Sequence, residues 1–307
     1  MSGKTGKILV AGSMNMDMVV NTASLPVPGE TVPGEKFFMN AGGKGANQAV
    51  AAARLGGEVL FLATTGNDPF GKQMLSHLKK ERININYVRT IPGKATGVAM
   101  ITVNSRGENM IVVVPGANAS LSPADVNDIL HELDDISIIL MQLETPLKTV
   151  EYLASLGKLK SKTVILNPAP AMSLPAGLWQ DISVLTPNRQ EAALLSGIPV
   201  RDIDSAVRAA RFLLMKGPQA VVITLGNQGA LLCNARETEH IPVPQVPVVD
   251  TTAAGDTFNG ALAAALAEGK PLKEAVSFAN NAAALTVQKP GAQPSIPKRK
   301  DIYNMQE

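Results

Sequence analysis

The sequence predicts an α/β fold, a single domain over residues 1–307 with a mostly parallel central sheet and a small inserted β-sheet. Three observations predict it. Short apolar runs alternate with helical patterns along most of the chain, the order that builds a parallel sheet covered by helices. Two turns rich in glycine and alanine, one near each end, lead directly into helices. Two segments, approximately 17–40 and 97–115, break the alternation and read as antiparallel strands.

The first strand is Ile8-Leu-Val-Ala11, closed by Gly12-Ser13-Met14-Asn15-Met16-Asp17. If residues 14–18 are extended, alternation places Asn15 and Asp17 on one face and three methionines on the other. Two polar side chains in an apolar context need partners, which either a polyol's hydroxyls or local backbone groups supply. The Pro- and Gly-rich stretch 25–40 then leads to Ala41-Gly-Gly-Lys-Gly-Ala-Asn-Gln-Ala49 and a helix ending near Leu55-Gly56. Residues 98–103 and 110–114 flank a turn at Ser105-Arg-Gly107. Strands follow over 138–141, 163–166, 182–185 and 220–224, with helices over 188–196, 204–216 and 271 to about 287. Cys233, in Ala230-Leu-Leu-Cys233, reads as a small buried residue of a strand. Val246-Pro-Val-Val249 reads as an extended run ending at Asp250, and residues 260–269 as a helix stopped by glycine. The polar residues singled out below fall at strand carboxyl ends, where open α/β sheets bind ligands.

In Asp250-Thr-Thr-Ala-Ala-Gly-Asp256, a small-residue turn and one carboxylate sit at a helix start. N–H groups there lack intrahelical partners and carry the positive end of the helix dipole, so Ala253, Ala254, Gly255 and Asp256 suit an anion such as a transferring phosphoryl group. Asp256 is then placed to accept a proton from an attacking hydroxyl, although alone it also reads as a helix cap. In the other element, Gly42 and Gly43 allow tight turns, while Lys44 and Asn47 supply donors that a mere turn does not need. Neither G-x-x-x-x-G-K-[ST] nor G-x-G-x-x-G after the first strand is present, which argues against the ordinary phosphate-loop and dinucleotide readings.

A chain of 307 residues that is 45% hydrophobic can bury a large core. Its formal charge of +2 gives no strong field for nucleic acid, and Lys298-Arg299-Lys300 reads as solvated surface. One cysteine excludes an intrachain disulfide. No apolar run suits a membrane span, and residues 1–7 lead into a strand rather than a signal peptide's apolar segment. A cytoplasmic enzyme without membrane or nucleic-acid partners is expected.

These elements, in their order and spacing, resemble the ribokinase family of carbohydrate kinases over nearly the whole chain. One signature runs from Ala41-Gly42-Gly43 through Asn47 and Ala49 to Gly56 and Gly66, the other from Asp250-Thr251 through Ala254-Gly255-Asp256. Between them come Gln142-Leu-Glu144, Asn167-Pro-Ala-Pro170, Pro187-Asn-Arg-Gln-Glu191 and Thr224-Leu-Gly-Asn-Gln-Gly229. Ala253 departs from the Gly of many members, adding only a methyl to the turn. The resemblance implies a ribokinase-like three-layer fold whose small β-sheet is a lid over a sugar site and pairs with its copy in a homodimer. It implies D-ribose and ATP as substrates, with Mg2+ and K+. Asp256 would be the general base toward the 5-hydroxyl, with Ala253, Ala254 and Gly255 forming the anion hole. Asn15, Asp17, Gly43, Lys44, Asn47, Glu144 and Asp256 itself would hold the sugar, and Asn188, Thr224, Gly226, Gly229, Gly255 and Asn280 the nucleotide. Glu191 would organise magnesium through water. A monovalent cation would be held by Asp250, the carbonyls of Thr252, Thr286, Lys289 and Gly291, and the Ser295 hydroxyl, and by neutralising Asp250 would organise the 253–256 turn.

Read without the resemblance, Glu144 is equally a surface residue or a cap, Asn188-x-x-Glu191 a capped helix start, and 289–294 a plain connection. Deoxyribose-specific relatives carry an apolar residue where Asn15 stands, so Asn15 favours ribose. A kinase for deoxyribose, another sugar or a nucleoside would retain Asp256 and both glycine elements. A non-catalytic sugar- or nucleotide-binding protein should lack some of Lys44, Asn188, Glu191 and Asp256, all of which are present.

Overall fold

A computed structural model describes residues 6–303, so most of the 1–7 lead-in lies outside the described residues. The chain runs β1 (Lys7–Ala11), β2 (Asn15–Thr22), β3 (Gly34–Gly42), α1 (Lys44–Arg54), β4 (Val59–Gly66), α2 (Pro69–Lys80) and β5 (Val88–Ile91). It continues through β6 (Gly97–Val103), β7 (Asn109–Val114), α3 (Pro123–Asn127), β8 (Ile136–Met141), α4 (Leu147–Leu159), β9 (Thr163–Leu166), α5 (Ala176–Asp181) and β10 (Val184–Leu185). The last part contains α6 (Arg189–Ser196), α7 (Ile203–Leu214), β11 (Ala220–Thr224), β12 (Ala230–Asn234), β13 (Thr238–Ile241), α8 (Ala254–Ala267), α9 (Leu272–Thr286) and α10 (Arg299–Tyr303).

The main sheet has the order β13-β12-β11-β10-β9-β8-β1-β4-β5. It is parallel from β5 to β11 and antiparallel at β12 and β13. Helices cover both faces, so central strands are apolar at every position rather than at alternate ones. In β1, Ile8 and Val10 enter one core while Leu9 and Ala11 enter the other. This is the expected three-layer arrangement. Cys233 is buried in β12, as its apolar context predicts.

The small sheet has the order β3-β2-β6-β7. It differs from the antiparallel expectation: β2 and β6 pair in parallel, and only β2/β3 and β6/β7 are antiparallel. The chain returns from β2 to β6 through α1, β4, α2 and β5, a crossover long enough for parallel pairing, whereas the other two pairs are sequence neighbours. Within 25–40 the strand begins only at Gly34, because Pro26, Pro28 and Pro33 cannot donate to a ladder. Residues 246–249 form no strand for the same reason, lying among Pro242, Pro244 and Pro247. The reading of 298–300 as solvated surface also needs correction at Arg299, which pairs with Glu268, donates to the Leu55 carbonyl and lies over the Phe278 ring.

One packing contact positions the site. A Cβ on Gly260 would lie 2.5 Å from Ala51 Cβ and 2.6 Å from the Gln48 carbonyl oxygen, so α1 and α8 approach to a distance that only glycine permits there. That approach brings the starts of both helices together at the carboxyl end of the sheet.

Candidate active site

Helix α1 begins at Lys44 behind Gly43, whose φ is 87° and whose Cβ, if present, would lie 2.7 Å from the Asn15 nitrogen. Helix α8 begins behind Ala253, held left-handed at φ 59°. Asp256, in the first turn of α8, is buried and makes no cap. Its Oδ2 accepts from Asn47 Nδ2 at 2.9 Å and its Oδ1 from Gln48 Nε2 at 3.0 Å. The capping alternative therefore gives way to a carboxylate gripped by the neighbouring helix.

On one side lie the residues expected to hold a sugar. Asn15 is buried on β2, and Met14 and Met16 point into the core as the alternation requires. Asn118 Oδ1 accepts the Met14 N–H at 3.0 Å, so its Nδ2 faces Asn15 Oδ1 at 2.7 Å. Among the described residues nothing accepts from Asn15 Nδ2. Asp17 lies against Gly42, where a Cβ would come within 2.1 Å of its carboxylate. Burial, then the charges of Glu144 and Asp256, push the Asp17 carboxyl up to about 7, with Lys44 opposing them. Burial disfavours the Lys44 ammonium, yet Asp256, Glu144, Glu191 and Asp17 outweigh it and raise its pKa. Glu144 Oε2 accepts from the Lys44 N–H at 3.0 Å and from Ser13 Oγ at 2.5 Å. It therefore meets the start of α1 across the sheet end and does not cap the helix that follows Thr145-Pro146.

On the other side a cavity of about 280 Å³ is lined by Thr224, Gly226, Gly229, Ala254, Gly255 and Asn280, among others. Asn280 is buried and spends its N–H groups on the carbonyls of Ile241 and Pro242, leaving Oδ1 uncommitted. Asn188 and Glu191 form a capping box, each side chain accepting the other's backbone N–H at 2.8 Å. Neither lines the cavity. Burial raises the Glu191 carboxyl, against the Asn188 N–H and Lys44, while Asp256 adds to the rise.

Asp250 ties two loops together: Oδ1 accepts from Thr252 N at 2.8 Å, and Oδ2 from Gly291 N at 2.8 Å. Burial alone would raise its pKa, but the bonds from the Thr252 hydroxyl, Gly291 and Thr252 N hold it below the usual carboxylate range. Ser295 Oγ donates to the Ala292 carbonyl, Thr286 Oγ1 is occupied with Thr257 and Ala282, and the Thr286 carbonyl accepts from Lys289 N. Among the described residues no group of three or more His, Cys, Asp or Glu could hold a metal, so a cation here would depend on Asp250 and carbonyl oxygens.

Sequence reasoning assigned no role to Gln48, Asn118, Gln142, Asn167 or Gln293. Gln293 Nε2 donates to Asn47 Oδ1 at 3.0 Å, and Gln142 Nε2 to Gln48 Oε1 at 2.7 Å. Gln48 adjoins Asn47 within the glycine-rich element, which was a signal; Asn118 lies 103 positions from Asn15, and nothing local marks it.

A family model described as pfkB family carbohydrate kinase matches residues 5–299. The chain is 43% identical to a ribokinase of Haemophilus influenzae over 300 residues, covering 98% of each protein. It is 38% identical to a deoxyribokinase of Salmonella typhi over 291 residues, covering 94% of this chain and 95% of that one. The structure of Arabidopsis thaliana ribokinase complexed with ribose and ATP superposes with a TM-score of 0.90 at 33% identity, covering 98% of this chain and 99% of that one. A match of this extent to the family model, with both signatures meeting at Asp256, shows that the chain belongs to the pfkB family of carbohydrate kinases.

Proposed function

We propose that this protein transfers the γ-phosphoryl group of ATP to the 5-hydroxyl of D-ribose, giving ribose 5-phosphate and ADP. The observation that carries the reading is the place of Asp256: a buried carboxylate at a helix start, between a polar set around Asn15, Asp17 and Lys44 and a cavity along Thr224 to Gly229. The hydroxyl gives its proton to Asp256 as its oxygen attacks phosphorus in line and the bond to the β-phosphate oxygen breaks. Backbone N–H groups of residues 253–256 face the charge spread over the transferring oxygens. The Asn15 amide and the Asp17 carboxylate orient ribose hydroxyls, with Gly43, Lys44, Asn47 and Glu144 around them. Thr224, Gly226, Gly229, Gly255 and Asn280 line the nucleotide side, and Asn188 borders it through its bridge to Thr224.

Glu191 would organise magnesium through water, and magnesium when bound neutralises phosphate charge. The donor set around Asp250 suits a monovalent cation such as potassium, with the carbonyls of Thr252, Thr286, Lys289 and Gly291 and the Ser295 hydroxyl completing it. The small sheet serves as lid over the sugar and as the surface of a homodimer. The lone buried Cys233 accords with the reducing cytoplasm as the working compartment.

A deoxyribose preference is the second reading, favoured by the 38% identity to a deoxyribokinase. Asn15 opposes it, because its free N–H groups go unmet when the 2-hydroxyl is missing, at a cost of about 1–3 kcal/mol. The deciding experiment is ADP production with Mg-ATP and potassium across D-ribose, 2-deoxy-D-ribose, fructose and a nucleoside panel. Turnover strongest with ribose is expected. Turnover strongest with another acceptor keeps the Asp256 chemistry and overturns the sugar assignment, and none with any acceptor overturns catalysis.

A further inference from the structure

A carboxylate offers about four lone-pair directions, and the two donors on Asp256 fix which remain for a substrate hydroxyl. Those donors are themselves locked. Since Asp256 Oδ1 can only accept when ionised, Gln48 must turn Nε2 toward it and Oε1 toward Gln142, whose own Nε2 must then donate at 2.7 Å. The other Gln48 N–H goes to Asn167 Oδ1 at 3.0 Å, which turns Asn167 Nδ2 to the Thr186 carbonyl at 3.0 Å. Thr186 Oγ1 donates to Asn259 Oδ1 at 2.6 Å, and Asn259 Nδ2 to the Gly255 carbonyl at 2.8 Å, closing the circuit beside Asp256 itself. Gln48, Gln142 and Asn167 each have one allowed orientation dictated from the carboxylate outward, and Asn259 has one set by the Gly255 carbonyl.

The fold carries a penalty for this order. Gln142 Oε1 is buried without a hydrogen-bond partner, the one such side-chain atom among the described residues, and a Cβ on Gly12 would lie 2.1 Å from it. A buried orphan acceptor calls for a reason, and here Gln142 cannot turn over without presenting oxygen to the oxygen of Gln48. We propose that Gln48 is a positioning residue for Asp256, holding the carboxylate plane so that its unused lone pairs face the incoming hydroxyl, and that Asn167 acts through Gln48. This rests on reading Asp256 as the base.

Two variants test it in the full-length protein. Gln48→Met keeps the volume and removes both donors; Asn167→Leu leaves the Gln48 donor to Asp256 but frees it at its far end. Misplacing a reacting group by an ångström is worth about 10²-fold, so Gln48→Met should lower kcat with ribose by roughly that factor while ribose KM stays within about twofold. Asn167→Leu should lower kcat several-fold with KM unchanged. The acidic limb of the kcat profile should move to higher pH in Gln48→Met, because a hydrogen bond to the charged form is lost. Lys44, Asp17 and Glu191 also face Asp256 electrostatically and are retained in both variants, so they do not account for a difference between profiles. The proposal is overturned if both variants keep wild-type kcat and an unmoved acidic limb while Asp256→Asn abolishes turnover. Near-normal turnover of Asp256→Asn would instead overturn the base assignment, and the proposal with it.

Discussion

Asp17 illustrates what burying a carboxylate costs the protein. Its folded-state value of about 7 stands well above the ordinary 3.8, chiefly through burial and then through Glu144 and Asp256. Between those two values the unfolded chain has lost the proton while the folded chain keeps it, so stability falls as pH rises. The favourable contribution is complete below about pH 3.8 and gone above about pH 7. Asp17→Asn should abolish this part of the pH dependence: its Tm relative to wild type should rise steadily from pH 4 to pH 8, while ribose affinity falls. Equal Tm differences at both ends of the window would show that Asp17 is not the group responsible. Asp256 makes the complementary case, since replacing it touches proton transfer rather than sugar contacts. Asp256→Asn should cut kcat by about 10²–10⁴-fold, the usual worth of a positioned base, with ribose binding by calorimetry close to wild type; retained turnover would assign the proton to another group.

At the scale of elements, two glycines in the same helix have opposite duties. Gly260 has no room for a side chain against α1, whereas a Cβ on Gly255 meets nothing within 4 Å. Gly260→Val should therefore destabilise by about 1–3 kcal/mol through overpacking and separate Asp256 from Asn47 and Gln48. Gly255→Ala should leave stability unchanged or raise it by up to about 1 kcal/mol through helix propensity, yet lower kcat, because the proposed approach of phosphoryl oxygens uses that open space. Urea unfolding combined with kcat for both variants checks this; parallel losses of stability and turnover in the two would refute the division. Both glycines were visible in the sequence as parts of a turn and a helix, but the duty of Gly260 depends on α1, some two hundred residues earlier. The central strands were legible because burial on both faces leaves uninterrupted apolar runs, as in β1 and β11. Strand β4 went unassigned although it is buried throughout and opens on the uninterrupted apolar run Val59-Leu-Phe-Leu-Ala63. Asn118 was illegible as a site residue and the roles of Gln48 and Gln142 were not readable from their motifs, since an amide's role is set by its partners and those lie far away in the chain.

For the whole molecule, the proposed homodimer turns on the small sheet. Every residue of β7 is exposed, Met110, Ile111, Val112, Val113 and Val114 among them, with Met100 on β6 and Phe37, Phe38 and Met39 on β3. Alternate residues of a strand point to opposite faces, so β7 shows apolar side chains both ways. One face can close over the sugar, but the other then faces water. Monomers seldom expose contiguous apolar area on this scale, and a second copy of the same sheet is the self-complementary cover that two-fold symmetry provides. Light scattering at micromolar concentration should give twice the chain mass. Val112→Asp, which places a charge on that face, should shift the protein toward monomer and raise ribose KM as the lid loses its support. ATP affinity should change little, since the cavity proposed for the nucleotide is lined by residues of 224–287 alone. A wild-type monomer, or a Val112→Asp monomer with unaltered ribose KM, would separate the lid from assembly and leave the exposed strand without that explanation.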